Sequence, residues 1–191
     1  MGDGQQRPLQ CQRCNGLAKS QRLLAPVALA SGPDGTIYVG DFNLIRKITT
    51  DGQVTTIVEL SPAQVSYSYH LTVGPVDGHL YISDPEQHQI LRTLSMSDFM
   101  SPKNNTEVVV GSGEKCLPRD KAECGDGGSA KDAKLAYPKG ITITKHGVIY
   151  IADGTNIRFV DARGIIHRLI GDYYHKSWRP IPCFATLTLL Q

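Results

Sequence analysis

Five cysteines are the residues of this chain whose type and spacing most directly suggest chemistry: Cys11, Cys14, Cys116, Cys124 and Cys183. The first two form a C-x-x-C, and seven residues separate the third from the fourth. Zinc would have to join two pairs far apart in the chain, and the second spacing is wrong for a zinc ribbon. A redox C-x-x-C normally opens a helix in a βαβ unit, a pattern missing here. Disulfides are therefore favoured over zinc or free thiols, and they indicate an extracellular location.

Acidic and basic residues also recur at matching places. Three similar phrases end in Asp, and each is followed by a run that carries Arg; the aspartates are Asp41, Asp84 and Asp153 and the arginines Arg46, Arg92 and Arg158. A calcium site would need about six to eight oxygens from converging loops, which this pattern does not show. We therefore predict that each Asp accepts hydrogen bonds from the turn that follows it. The arginines are expected to fix neighbouring strands through these carboxylates or backbone carbonyls rather than to bind an anion.

The remaining candidate groups do not indicate catalysis. The segment Gly125–Gly128 lacks the spacing of a phosphate loop and is predicted to be a turn. No Ser lies in a G-x-S-x-G elbow. Only His70 lies near the position that a propeller enzyme would use, and the other histidines are dispersed. We predict a non-enzymatic chain without a bound cofactor or metal. The histidines are His70, His79, His88, His146, His167 and His175.

Strand signals must position all of these residues. Ile37–Asp41, Leu80–Asp84 and Ile149–Asp153 are β-branched and aromatic runs, each preceded by a turn that contains Gly. Around each of them the sequence predicts four short antiparallel strands. The predicted strands are 27–30, 36–40, 44–49 and 53–60; 69–73, 79–83, 89–94 and 106–110; and 140–144, 148–152, 157–161 and 165–170.

A repeat of this kind predicts an all-β chain built as a partial β-propeller of about three four-stranded blades. A single meander cannot cover both of its faces, and propellers typically close with about four to eight blades. We therefore expect an arc of a larger ring. The predicted organisation is a cysteine-containing linker at 1–25, blades at 26–60 and 61–110, an insertion at 95–105, a second linker at 111–137, a third blade at 138–171, and a truncated linker with a divergent tail at 172–191.

Composition limits the partners. The chain has 191 residues, 40% of them hydrophobic, and a net charge of +2, which is too small to argue for nucleic acid or an anionic membrane. No apolar stretch approaches the roughly 18 residues that span a bilayer, and the N-terminus lacks the features of a signal peptide. The missing signal peptide and the odd number of cysteines together predict a fragment of a longer secreted or surface protein. The sequon at Asn104 predicts a glycosylation site.

The repeated phrases resemble the NHL repeat, and the linkers resemble those of one NHL family, the teneurins. Teneurins are large single-pass adhesion receptors of neurons and other tissues. The resemblance covers about residues 4–183, whereas Phe184–Gln191 departs from the pattern. The segments that carry it are Cys14–Ala18, Leu23–Ala28, Tyr38–Asn43, Cys124–Gly128, Pro138–Ile143, Gly147–Asp153 and Asn156–Arg158.

The resemblance implies a recognition module on the extracellular side of the plasma membrane. The parent chain would carry the membrane anchor, EGF-like repeats and a YD-repeat shell, and it would form a homodimer. Expected partners are a second teneurin and latrophilin-type adhesion receptors, in neuronal development, axon guidance and synapse formation. Two alternatives remain open: a propeller hydrolase or lyase with an axial metal, and an intracellular NHL scaffold.

The insertion at 95–105 is the one loop longer than its blade requires, so we predict that it contacts partners. Within it the candidate contacts are Ser95, Met96, Asp98, Phe99 and Lys103. The predicted disulfides are Cys11–Cys14 and Cys116–Cys124. Cys183 is expected to pair with a cysteine outside this chain.

Overall fold

The computed structural model describes residues 5–11, 14–63, 65, 68–97, 101–118, 120 and 122–171. Three antiparallel sheets follow one another along the chain. The first contains β1 (Gly16–Leu17), β2 (Pro26–Ser31), β3 (Ile37–Asp41), β4 (Leu44–Ile48) and β5 (Gln53–Glu59). The second contains β6 (His70–Val73), β7 (Leu80–Asp84), β8 (Gln89–Thr93) and β9 (Thr106–Val110). The third contains β10 (Pro138–Ile143), β11 (Ile149–Asp153), β12 (Asn156–Val160) and β13 (Ile166–Ile170). Short 3₁₀ turns lie at Ala18–Ser20, Pro102–Asn104 and Glu123–Gly125.

Every predicted strand is present, with ends that differ by no more than about two residues, a normal uncertainty for strand boundaries. One feature differs from the prediction: the first sheet has five strands rather than four. The additional strand, β1, comes from the cysteine-containing linker, where Gly16 lies opposite Val54 and Leu17 opposite Gln53. The linker before the third sheet lies beside the start of β13 through the antiparallel bridge Ser129–Ile165. The linkers therefore cover the outer edges of two sheets, although the division into separate linkers and blades remains a prediction.

The sheets stack through their first strands, since β2 contacts β6 and β6 contacts β10. In each sheet, the residue before the recurring Asp lies on the side where the next sheet would pack. A Cβ on Gly40 would lie 2.5 Å from the ring of Tyr69, which precedes β6. Ser83 donates a 2.6 Å hydrogen bond to the carbonyl of Lys139 in β10. Ala152 lies in the wall of an open cavity of about 350 Å³ on the third sheet.

The apolar core is divided between the two interfaces. Between the first and second sheets it includes Ile45, Leu71 and Ile82, and between the second and third it includes Ile90 and Ile151. The linker before the third sheet adds Ala130, Ala133 and Leu135 to the second core. This arrangement of first strands, interfaces and outer edges confirms an all-β fold of propeller-type blades.

Candidate functional site

The three recurring aspartates are buried, but they accept hydrogen bonds from different places. Oδ1 of Asp84 accepts from the amide of Gln87 in the following turn, at 3.1 Å, as the sequence predicts. Oδ1 of Asp41 instead accepts from the amides of Leu24 and Ala25, at 2.7 and 2.8 Å. The carboxylate of Asp41 therefore ties the end of the first linker to the sheet that follows it.

Asp153 repeats the arrangement of Asp41, with the amides of Ala136 and Tyr137 at 2.7 and 2.8 Å from Oδ1. The donors of both carboxylates lie before the sheet rather than in the next turn, because the linker closes against the end of the second strand. Burial raises the pKa of Asp153 above its usual value, against the opposing effects of the Tyr137 amide and the Arg158 guanidinium.

The recurring arginines do not all face the same way. Arg46 pairs across the sheet with Val39, and Arg158 pairs at the same place with Ile151. In the second sheet the residue that pairs with Ile82 at this place is Leu91. Arg46 and Arg158 are the third residues of their strands, whereas Arg92 is the fourth residue of β8, and a shift of one residue moves a side chain to the other face.

Arg92 therefore lies on the opposite face, where it is partly exposed. Its guanidinium forms a close ion pair with Glu107 and a longer one, at 3.4 Å, with Asp77. The expectation that the arginines bind neighbouring strands holds for Arg92, but its assignment as the counterpart of Arg46 and Arg158 is wrong.

Arg158 is fully buried and hydrogen-bonded on every nitrogen. Nε donates to Oδ1 of Asp126 at 2.9 Å, and Nη2 lies 2.7 Å from the same atom. Nη1 donates to the carbonyl of Lys134 at 2.7 Å and lies 3.3 Å from Oδ2 of Asp153. Nη2 also donates to the carbonyl of Cys124 at 3.2 Å. The second linker is thus held to the third sheet by one guanidinium and two carboxylates.

The corresponding place in the first sheet is built differently, because a second arginine enters it. Arg7, whose side chain is 1% exposed, donates from Nε to Oδ2 of Asp41 at 2.6 Å. Its Nη2 donates to the carbonyl of Asp41 at 2.7 Å and to Oδ1 of Asn43 at 3.1 Å. Arg46 donates from Nη2 to the carbonyl of Cys14. Two buried guanidinium groups therefore share the region of one carboxylate.

Backbone pairing shows which linker residues correspond. The amides of Ala18 and Ala130 donate to Gly52 and Gly164, which hold the same place before the last strand of each sheet. Four residues before these alanines stand Cys14 in the first linker and Asp126 in the second. The amides of Arg7 and Cys116 likewise donate to Leu23 and Leu135. The acidic partner of Arg158 is thus replaced by a cysteine in the first linker, and Arg7 is replaced by a cysteine in the second.

The structure contains both predicted disulfides, Cys11–Cys14 and Cys116–Cys124, with Cα–Cα distances of 5.6 and 5.5 Å. They lie at different places in the two linkers, as the correspondence above requires. Cys183 lies outside the described residues.

Sequence reasoning missed Arg7 because it lies 34 residues from Asp41, and no local pattern marks it as the partner of that carboxylate.

The insertion packs between the first and second sheets. The side-chain amide of Asn105 donates to the carbonyls of Ile57 and Ser95, at 2.9 and 2.7 Å, and the amide of Ser95 donates back to its Oδ1 at 2.8 Å. Met96 packs against the first core, and Lys47 donates to its carbonyl at 3.2 Å. Of the predicted contact residues, Lys103 is exposed, whereas Asp98 and Phe99 lie outside the described residues.

A cleft runs between the first linker, β5 and the insertion. One cavity of about 380 Å³ is lined by Leu9, Cys11, Asn15, Glu59 and Lys103, among others. A second cavity of about 260 Å³ shares Glu59 and Lys103 with it. The exposed Asn104 lies beside this shared rim, and its glycosylation remains a prediction. We call these two neighbouring cavities the insertion cleft.

The recurring aspartates and the dispersed histidines do not form a metal site in the part of the chain that the structure describes. In the described residues, no three His, Cys, Asp or Glu side chains stand close enough to hold a metal ion. Over the same part of the chain, no helix is both long and apolar enough to cross a membrane. His70 lines the open cavity beside Ala152, among mostly apolar residues, and burial lowers its pKa.

Comparison with known proteins identifies the family. The model of the teneurin NHL domain matches residues 1–191, which is the entire chain. The chain belongs to the teneurin NHL domain family. It is 60% identical over 190 residues to Teneurin-m of Drosophila melanogaster, and the aligned region covers 99% of this chain and 7% of that protein. It is 46% identical over 197 residues to Teneurin-3 of Mus musculus, covering 100% of this chain and 7% of that protein.

The teneurin NHL fold is shared with more distant propellers. A Bacteroides thetaiotaomicron protein of unknown function superposes with a TM-score of 0.60 at 24% identity, over 76% of this chain and 35% of the other. At that identity the similarity shows the fold alone. The chain spans about 7% of the length of its teneurin relatives, so the Arg–Asp sites and the insertion cleft are features of one part of a teneurin.

Proposed function

We propose that this chain is a non-catalytic recognition module of a teneurin-like adhesion receptor on the extracellular side of the plasma membrane. The observation that carries the proposal is the teneurin NHL match over the whole chain. The two disulfides support it, because such bonds persist in oxidising compartments. In this proposal the parent receptor is anchored in the membrane and forms a homodimer.

We further propose that the module contributes to homophilic recognition and to binding of latrophilin-type receptors, in neuronal development and synapse formation. The insertion cleft is the surface that we assign to a protein partner. It combines an exposed apolar residue, Leu9 at 45% exposure, with the charged rim of Glu59 and Lys103. Binding residues commonly lie on loops that a rigid scaffold positions, and the Asn105 hydrogen bonds join the two ends of this loop to each other and to Ile57 in β5.

A charge reversal tests the assignment. Full-length receptor carrying Lys103→Glu is expressed on cells, and homophilic aggregation and binding of a soluble latrophilin ectodomain are measured separately. The matched control is Lys145→Glu, an exposed lysine in the turn between β10 and β11. We expect Lys103→Glu to weaken at least one interaction several-fold and Lys145→Glu to weaken neither.

The outcomes separate the two levels of the proposal. If both variants behave as the unmodified receptor does, the insertion cleft is not the contact surface. If the unmodified receptor supports neither aggregation nor latrophilin binding, the adhesion role itself is wrong. Asn104→Gln provides a further arm: a gain in binding would mean that a glycan on Asn104 covers the cleft.

The non-catalytic assignment is tested on the same purified extracellular region. It is incubated with a panel of lactones and esters, and its metal content is measured. Turnover that a chelator abolishes would overturn the assignment in favour of a propeller hydrolase. Free thiols at Cys116 and Cys124 in non-reduced peptides of the secreted protein would overturn the extracellular location.

A further inference from the structure

The two disulfides differ in how far solvent reaches them. Cys11 is partly exposed and Cys14 is 5% exposed, and both line the 380 Å³ cavity of the insertion cleft. Cys116 and Cys124 are 5% and 1% exposed and form a small buried cluster with Ala136. Exposed disulfides are generally the labile ones, whereas a reductant reaches a buried disulfide only after local opening. The sulfur of Cys11 is therefore the most accessible point of attack on either bond.

The fold depends more on the second disulfide than on the first. Cys11 and Cys14 are three positions apart, whereas Cys116 and Cys124 are eight apart, and in the chain-entropy account a longer loop gains more from its cross-link. The backbone at Cys124 is also left-handed, with a φ of 56°, a conformation that a non-glycine residue keeps only where its surroundings hold it. A cross-link that stabilises the fold more is itself held more firmly by the fold against reduction.

The first disulfide completes one wall of the insertion cleft. Arg7 donates to the carbonyl of Leu9 at 3.1 Å, and Arg46 donates to the carbonyl of Cys14. Between these two anchors Cys11 lines the cleft and is tied to Cys14 by the disulfide. Opening that bond therefore loosens the wall of the cleft and leaves both anchors, with the sheet behind them, in place.

We propose that the Cys11–Cys14 disulfide is a redox-sensitive bond in the wall of the insertion cleft, which a dithiol reductant opens while Cys116–Cys124 stays intact. The closed form holds the cleft ready for its protein partner, and the open form binds that partner less tightly, because the loosened wall must be ordered again on binding. This regulatory role rests on the contact surface proposed above, whereas the selective reduction does not.

The reaction is an ordinary thiol–disulfide exchange. One thiolate of the reductant attacks the sulfur of Cys11, the S–S bond breaks, and Cys14 leaves as a thiolate that takes up a proton. The second thiol of the reductant loses its proton and attacks the mixed disulfide. Cys11 then leaves and is protonated, so that the reductant ends as a disulfide and this chain as two thiols.

Differential alkylation tests the selectivity. The purified extracellular region is incubated with graded dithiothreitol without denaturant, alkylated, and its cysteine peptides are measured by mass spectrometry. We expect Cys11 and Cys14 to be labelled at a reductant concentration about tenfold below that needed for Cys116 and Cys124, because the exposed bond is the more reducible one. Equal labelling of the two pairs, or earlier labelling of the second, overturns the proposal.

The same titration in urea is the control. Unfolding exposes both pairs, so the difference in labelling should shrink. A difference that is undiminished in urea would arise from the C-x-x-C spacing alone, and it would overturn the explanation from the fold.

Matched double variants test the regulatory role. Cys11→Ser/Cys14→Ser should keep the thermal midpoint of the unmodified receptor, raise hydrogen exchange in the first linker, leave β2–β5 unchanged, and weaken partner binding several-fold. Cys116→Ser/Cys124→Ser should lower the thermal midpoint. A first variant that does not fold, or that binds the partner as the unmodified receptor does, overturns the regulatory role. An unmodified receptor that binds no partner overturns the proposed function and this role with it, and alkylation alone then decides the selective reduction.

Discussion

Arg46 and Arg158 stand at the same place in two sheets, but one guanidinium lies near a second guanidinium and the other lies between two carboxylates. The first unit buries Arg7 and Arg46 with Asp41. The third buries Arg158 with Asp153, and Asp126 is 9% exposed beside it. The backbone around both is similar: a pair of linker amides donates to the Asp, and a linker segment pairs beside the last strand.

The difference shows that the repeat conserves hydrogen-bond geometry more strictly than charge. The amides that donate to Asp41 and Asp153 belong to the backbone, so they are independent of the linker sequence. The charges belong to side chains at corresponding places. Arg7 of the first linker corresponds to Cys116 of the second, and Cys14 corresponds to Asp126. A single change at each place therefore alters the buried charge without altering the chain path.

The largest expected effect comes from the same substitution at the two equivalent arginines. Arg158→Met leaves the buried carboxylates of Asp153 and Asp126 without a cation, a loss that typically costs about 3–5 kcal/mol of stability. Arg46→Met removes a buried cation that has no carboxylate of its own, so we expect a change within about 1 kcal/mol, in either direction. Urea unfolding of the purified variants measures both.

Local hydrogen exchange serves as the control for this pair. Exchange in Arg158→Met should rise in β10–β13 and leave β2–β5 unchanged. Equal losses of stability for the two variants would mean that the charge difference between the sites has no energetic consequence.

A smaller effect is expected at the residue that precedes each Asp. Gly40→Ala places a Cβ 2.5 Å from the ring of Tyr69, and overpacking of this kind typically costs about 1–3 kcal/mol. The third sheet already has Ala152 at this place, beside an open cavity. Gly40→Ala should lower the thermal midpoint, whereas Ala152→Ser, which introduces the residue found at Ser83, should change it little. A neutral Gly40→Ala would show that Tyr69 can move away without loss.

The smallest expected effect concerns the stability of the protein at acid pH and the turn between β12 and β13. Asp161 accepts hydrogen bonds from the amides of Arg163 and Ile165 at 2.9 and 3.0 Å, and these bonds hold the pKa of its carboxyl well below the usual value. A carboxyl whose pKa is lowered by folding stabilises the protein above its unfolded pKa, near 4, and this contribution is lost as the pH falls below that value.

Asp161→Asn should therefore be less stable than the unmodified protein at pH 6, and the difference should narrow towards pH 2. In the first unit Thr49 holds the place of Asp161, and the carboxyl of that turn is Asp51, whose pKa is also lowered, by the hydroxyl of Thr49. Asp51→Asn should show a smaller difference because fewer groups donate to that carboxylate. A pH-independent difference for Asp161→Asn would mean that its charge does not contribute. Thermal unfolding across this pH range measures all three proteins.

The sequence by itself determined the features that depend on neighbours along the chain. Strand runs, turn glycines and the spacing of Cys11–Cys14 and Cys116–Cys124 are local, because alternation, turn chemistry and short loops act over a few residues. The twelve predicted strands and both disulfides follow from them. The linker motifs also sufficed to identify the family, since several agree in order.

Only the tertiary structure decided how the charges are paired. Arg7 meets Asp41 across 34 residues, and Arg158 meets Asp126 across 32, distances over which no periodicity constrains a partner. The face of Arg92 depends on the register in which β8 pairs with β7: Leu91, not Arg92, lies at the place of Arg46 and Arg158, and a one-residue shift along a strand changes the face of a side chain. The buried charge of each site is therefore a property of how linker and sheet dock, which the repeat phrase does not encode.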